Sequence, residues 1–147
     1  MKRDEIHEGA LTSRTVVRVR FSEVDSMNIL WHGHYVQFME DGREAFGREF
    51  GLDYHRIADE GFYIPMVELN IRYHHSLHCD EQAIVETRFI ADDAAKIRFD
   101  YIISRESNGD ICATASTMQV FINKKSGQLE LNTPEFIRQW KEKWNIH

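Results

Sequence analysis

The sequence predicts an α+β fold: a curved antiparallel β-sheet wrapped around one long central α-helix, with a second helix at the C-terminus. Three observations carry this reading. Tyr35, Phe38, Met39, Gly42, Ala45, Phe46 and Phe50 stand at offsets 0, 3, 4, 7, 10, 11 and 15, which makes one continuous apolar face of a helix. After Pro65 the sequence changes to strand-like runs separated by turn residues. A helix this apolar on one side needs a large surface to lie against, and strands with one dry face supply it.

The elements follow in order. Residues 1–13 are polar and expected to be a flexible N-terminus. From Arg14 to Ser22 the pattern is strand, with Val17, Val19 and Phe21 alternating with Val16, Arg18 and Arg20. SEVDSMN breaks it as a loop, and the central helix runs from His32 or Gly33 to Phe50, with Gly51 placed as a left-handed cap. LDYHRIADEG is a short helical turn closed by Gly61. Four strands are expected at Met66–His75, Gln82–Ala91, Ala95–Ser104 and Ile111–Asn123, joined as an antiparallel meander. Ala83, Val85, Thr87 and Phe89 form a dry face of the second, with Glu86 and Arg88 on the wet one. Pro134 opens a last amphipathic helix to Trp144, with Thr133 as its N-cap. Such a sheet needs its edge or outer face protected, so a homodimer or homotetramer is expected.

Composition narrows the class. The 147 residues suit one domain, 1–147, with a core of its own. A net charge of −6 argues against nucleic-acid and anionic-membrane partners. Cys79 and Cys112 make no disulfide framework, no apolar run reaches membrane length, and no secretory leader is expected. The expected location is cytoplasmic, without membrane insertion.

The first turn of the central helix is where chemistry is expected. A helix N-terminus offers free backbone N–H groups and a partial positive charge, and Asp25 lies seven residues before His32. A lone Asp before a helix also serves as a cap or loop acid. Likewise Glu40 and Arg43, three apart, can simply pair with each other. In HHSLHCD, His74, His78 and Cys79 are acceptable zinc ligands, but their spacing matches no closed four-ligand set, and the stretch reads as a strand end and turn. No metal is expected.

The segment RVRFSEVDSMNILWHGHYVQFMEDGREAFGREFGL resembles the opening of the hot-dog-fold acyl-CoA thioesterases, in the 4-hydroxybenzoyl-CoA thioesterase and YbgC-like branch. The resemblance rests on Arg20, Phe21, Glu23, Asp25, Met27, His32 and Tyr35, continuing into Glu40 and Arg43. MVELNIRYHHSLHCD and TPEFIRQW match the later layout, so the similarity spans nearly the whole chain. Two departures stand out: the usual turn glycine is Asn28, and a common Pro-Ala is replaced by His74, His75 and Ser76. The resemblance implies hydrolysis of an acyl- or aroyl-CoA to free acid and CoA. Asp25 would be the general base or nucleophile, the backbone N–H near His32 an oxyanion donor, and the His32 side chain an aid to orientation. Met27, Trp31, Tyr35 and Glu40 would meet the substrate. Lys96, Arg98, Lys124 and Lys125 are the cations proposed for the CoA phosphates, CoA being part of the substrate and no separate cofactor being needed. Two rival readings on the same scaffold are a non-catalytic acyl-CoA or acyl-carrier-protein binding module and a 3-hydroxyacyl-thioester dehydratase.

Overall fold

The computed structural model describes residues 11–146. In chain order the elements are β1 (Thr12–Arg18), a 3₁₀ turn at Phe21–Glu23, and a second at His32–His34 that runs directly into α1 (Tyr35–Phe50). Then come α2 (Tyr54–Asp59), β2 (Phe62–Tyr63), β3 (Met66–Tyr73), β4 (Gln82–Ile90), β5 (Lys96–Arg105), β6 (Ile111–Val120), β7 (Ile122–Asn123) and α3 (Glu135–Lys143). None of the helices is long and apolar enough to cross a membrane, among the described residues.

The central helix forms where its periodicity predicts. Tyr35, Phe38, Met39, Gly42, Phe46 and Gly47 are buried, and α1 packs on β1 and β4. Gly51, at φ 73°, ends it as the expected left-handed cap, its N–H donating to the Gly47 carbonyl. Beneath the helix, Ala83, Val85, Thr87 and Phe89 form the dry face of β4. The closest approach is at Gly42, where a β-carbon would stand 2.3 Å from Thr87 Oγ1 and 2.8 Å from Val85 Cγ1. The far end of α1 is closed by α3. Phe46, Phe89, Phe99 and Trp140 interlock their rings, and the Trp140 indole donates to the Phe50 carbonyl at 2.7 Å.

The sheet differs from a plain meander. Its order is β1-β4-β5-β6-β3, all neighbours antiparallel. β4, β5 and β6 are the expected meander, but β3 pairs with β6 and forms the far edge. The connection after Tyr73 is too long for a hairpin, and it crosses the end of the sheet with Leu77 fully buried. The last expected strand is broken at Phe121, so that β7 leaves the sheet and pairs with β2.

Local expectations shift in four places. β1 starts at Thr12, inside the segment expected to be flexible, and residues 1–10 lie outside the described residues. β1 also ends at Arg18, leaving Phe21 in the 3₁₀ turn with 83% of its surface exposed instead of on a dry strand face. Glu86, expected to be wet, is fully buried, 3.0 Å from Arg14 and 3.6 Å from Arg88. Thr133 does not cap α3: Pro134 takes the cap position, and the Thr133 hydroxyl donates to the carbonyls of Asp93 and Ala94.

Along the solvent side of α1 runs a groove of about 580 Å³, lined by Val16, Val17, Arg18, Arg20, Glu23, Gln37, Phe38, Glu40, Asp41 and Glu44. Partial burial, then the nearby Glu44 and Glu23, push the Asp41 carboxyl above its ordinary value of 3.8, against the pull of Arg20. A carboxyl raised on folding favours the folded state most below its unfolded pKa and loses that contribution as pH rises through the folded value. Asp41→Asn is therefore expected to raise the melting temperature at pH 7 and to leave it unchanged near pH 3, measured by calorimetry at both pH values. Gly42→Ala, although favourable to an isolated helix, is expected to cost about 1–3 kcal/mol by overpacking against Thr87 and Val85, measured by urea denaturation.

Candidate active site

The loop that carries Asp25 is a small hairpin suspended between β1 and α1. Beyond Arg18, Val19 exchanges backbone hydrogen bonds with the segment before β4: its N–H donates to the Glu81 carbonyl and its carbonyl accepts from Asp80, both at 2.9 Å. The chain then folds back on itself. Trp31 N–H donates to the Glu23 carbonyl at 2.9 Å, Val24 pairs with Leu30, and Asp25 N–H donates to the Ile29 carbonyl at 2.9 Å. The tip closes with Asn28 N–H on the Asp25 carbonyl, and Asn28 adopts φ 61°. Asn accepts this left-handed conformation better than most residues other than glycine, so the missing turn glycine costs the hairpin little.

The Asp25 carboxylate is held by a short local bond. Oδ1 accepts from Met27 N–H at 2.8 Å, fixing one oxygen. Met27 and Trp31, on the same hairpin, carry large exposed apolar side chains. His32 stands three residue steps beyond Ile29, the residue opposite Asp25 in the hairpin, a displacement of roughly 10 Å along the strand at 3.3 Å per residue. At His32 the chain enters the 3₁₀ turn, whose first N–H groups have no acceptor within the turn. The Tyr73 hydroxyl donates to the His32 carbonyl at 2.9 Å, tying this peptide to the end of β3. The His32 ring is exposed and lies 4.7 Å from that of Trp31.

The other residues expected at the substrate fall into different places. Tyr35 is core: it is 3% exposed, its ring meets Tyr73 edge-on at 5.1 Å, and burial pushes its phenol up to about 12. Glu40 points to solvent and pairs with Arg43 at 3.5 Å, as their spacing allowed. Lys96 and Arg98 begin β5, where Arg98 meets Asp92 at 3.5 Å beside α3. Lys124 and Lys125 lie in the turn after β7, with Lys124 donating to the Ala58 carbonyl of α2 and stacking over Tyr63. These four cations are therefore at the C-terminal end of α1. Asp25 is at its N-terminal end, roughly 24 Å away at 1.5 Å per residue over the helix.

The histidine-rich segment has partners other than a metal. His74 Nε2 meets Thr114 Oγ1 at 3.0 Å, and His78 Nδ1 donates to Glu81 at 2.8 Å. Among the described residues no group of three His, Cys, Asp or Glu side chains is arranged to hold a metal ion. What sequence reasoning missed is the service this segment gives the hairpin. Leu30 N–H donates to the Leu77 carbonyl at 2.7 Å, and Ile29 bridges to His78. Burial opposes ionisation of Glu81, but hydrogen bonds from His78 and Arg105 prevail and hold its carboxyl below the ordinary range. Nothing local in the sequence announces that Glu81 and Arg105 meet.

Comparison with known proteins gives one consistent answer. The sequence model of the thioesterase-like superfamily matches residues 19–140. A Bacillus subtilis protein named "Putative acyl-CoA thioesterase YneP" is 31% identical over 114 residues, covering 78% of this chain and 82% of its own. Among solved structures, a DHNA-CoA thioesterase from Staphylococcus aureus superposes with TM-score 0.80 at 24% identity, over 91% of this chain and 89% of that one. A hypothetical protein from Thermus thermophilus, TT1821, also reaches 0.80, at 27% identity over 92% and 99% of the two chains. A curved antiparallel sheet around one long helix is the hot-dog architecture shared with these neighbours, and with the family match spanning β1's exit to α3, the chain belongs to the thioesterase-like superfamily.

Proposed function

We propose that this thioester hydrolase cleaves an acyl- or aroyl-CoA to the free acid and CoA, with Asp25 as the reacting carboxylate. The observation that supports this best is the Asp25 hairpin itself. It presents a carboxylate with one oxygen fixed by Met27 N–H, on the same hairpin as the exposed Met27 and Trp31 and on the stretch of chain that opens the central helix. A carboxylate, a near-attack contact of roughly 3–3.5 Å and a hydrogen bond of about 2.9 Å, laid end to end, span the separation between Asp25 and the N–H groups at His32. A thioester carbonyl lying between them would be attacked from one side and have its oxygen stabilised from the other.

Two versions of the attack fit this arrangement. In one, Asp25 takes a proton from water as the hydroxide adds to the carbonyl carbon. The tetrahedral intermediate then collapses, the C–S bond breaks, and the proton passes to the departing CoA thiolate. In the other, the carboxylate adds first, CoA leaves, and water cleaves the resulting anhydride. Either way Met27 and Trp31 would line the thioester, whereas Tyr35 would act from the core by packing on Tyr73. The cations Lys96, Arg98, Lys124 and Lys125 would hold CoA phosphates only for a substrate that crosses from one subunit to another.

We infer that a second copy of the chain pairs at β3, one of the two open edges of the sheet. β3 has β6 on one side only, and its inward-facing Leu69 and Tyr73 are 40% and 50% exposed. The eight-residue edge strand alternates these apolar residues with Glu68, Asn70 and Arg72, and its open backbone edge invites pairing with another strand. Through the Tyr73–His32 hydrogen bond this edge adjoins the helix start, so pairing there would wall in Met27 and Trp31.

Asp25→Asn is expected to lower kcat/KM by about 100-fold or more on a panel of short, long and aromatic acyl-CoAs followed by free-thiol release. A value within a few-fold of wild type for every cleaved thioester would falsify the role given to Asp25. Wild-type protein is expected to elute with the mass of at least two chains in size-exclusion chromatography with light scattering, and Leu69→Lys to shift it toward one. A wild-type mass of one chain at micromolar concentration would exclude the paired edge.

A further inference from the structure

Residues 26–28 at the tip of the Asp25 hairpin are exposed and touch no core. The position of Asp25 therefore depends on what the base of the hairpin is built against. Its second arm is held by backbone pairing to Leu77 and His78, residues that lie between β3 and β4 and belong to neither. Leu77 anchors this segment in the core, but a single apolar side chain fixes depth rather than direction.

Direction comes from two charged side chains. One Glu81 oxygen accepts from both His78 N–H and His78 Nδ1, each at 2.8 Å. The other accepts from Arg105 Nε at 2.6 Å. The same guanidinium donates to the Ser76 carbonyl at 2.5 Å and, through its third nitrogen, meets Asp110 at 3.0 Å. Arg105 is the last residue of β5, a strand paired on both sides. Its planar fork thus carries the rigidity of the sheet interior to residues 76–78 with fixed angles, as a flexible ammonium would not. The arms of the network reach Ser76 on one side of Leu77 and His78 on the other, so the Leu77 carbonyl that receives Leu30 N–H is held from both flanks.

We infer that Glu81 and Arg105 are positioning residues for the active site, setting residues 76–78 as the template on which the Asp25 hairpin is held. This rests on the reading of Asp25 as the reacting group. Neither side chain needs to touch the substrate. A displacement of the order of 1 Å at a reacting group can cost roughly 100-fold in rate, so a small tilt of the template is enough to matter.

The test uses Arg105→Met, Arg105→Lys and Glu81→Gln in the full chain, with Asp25→Asn measured alongside. Steady-state kinetics on a cleaved acyl-CoA are combined with amide hydrogen exchange. Arg105→Met and Glu81→Gln are expected to lower kcat by about 10-fold or more with KM within two-fold, and Arg105→Lys to restore part of the loss. The Asp25 and Leu30 amides should exchange at least about 10-fold faster, while those of Phe99 and Tyr101 in β5 keep the wild-type rate. The inference is overturned if kcat and the exchange of Asp25 and Leu30 stay within two-fold of wild type. It is equally overturned if exchange rises uniformly across the sheet, the mark of a general loss of stability. Should Arg105→Met fail to fold, the milder Glu81→Gln and Arg105→Lys decide by the same criteria. An active Asp25→Asn would remove the chemistry proposed for Asp25, yet the exchange of the hairpin amides would still report on the template, so the two failures are separable.

Discussion

The contact between α1 and the sheet at Gly42 is the constraint from which the rest of the fold follows. A helix with a side chain there would have to stand off from β4, because Thr87 and Val85 already fill the space that a β-carbon would take. Close approach lets Phe38, Met39 and Phe46 reach the sheet and be buried by it. Interiors gain dispersion energy only at van der Waals separation. Depth of seating also fixes where the first turn of the helix emerges, and hence where the Asp25 hairpin must join it. α3 completes this from the other end, with the Trp140 and Trp144 indoles both donating to the Phe50 carbonyl. These bonds satisfy a group that a helix end otherwise leaves open.

Polar groups are used sparingly and at places where direction matters. Tyr101 and Thr117 pair their hydroxyls at 2.8 Å inside the sheet's dry side, and burial drives the Tyr101 phenol well above its ordinary value. Tyr35 is likewise kept neutral by its surroundings. The charged contact that orients backbone at the crossover, Glu81 with Arg105, is at a margin instead, whereas Glu86 is fully buried beside Arg14 and Arg88. Charges at a margin keep part of their hydration, so they orient backbone without the full cost of burial.

Much of this was legible in the sequence because it is written in periods. The helical spacing from Tyr35 to Phe50 marked both the length of α1 and its buried side, and the alternation in β4 marked the side that α1 would cover. Asn28 was readable as a turn residue, and Asp25 before a helix start as the group to watch. Periodicity does not report which strand lies beside which, so β3 was placed next to β4 when it pairs with β6. Nor does it report whether a charge on the outer face is wet: Glu86 is buried among arginines from β1 and its own strand. Position on a strand and at a hairpin offers Lys96, Arg98, Lys124 and Lys125 as cations for CoA, but only the fold separates the two ends of α1. The template at Leu77 and His78 was hidden for the same reason, since its parts come from distant stretches and no spacing rule joins them.

The bridge from Ile29 to His78 joins residues almost fifty positions apart, and Arg105 lies further on still. A hairpin held this way lacks part of its native support until β5 exists. During synthesis the Asp25 region would leave the ribosome well before its template, and contacts of such separation form late because their loops must close first. The Asp25 end of the molecule is thus expected to be among the last parts to acquire native order. The helix that looks like its foundation would already be paired with β1 by then.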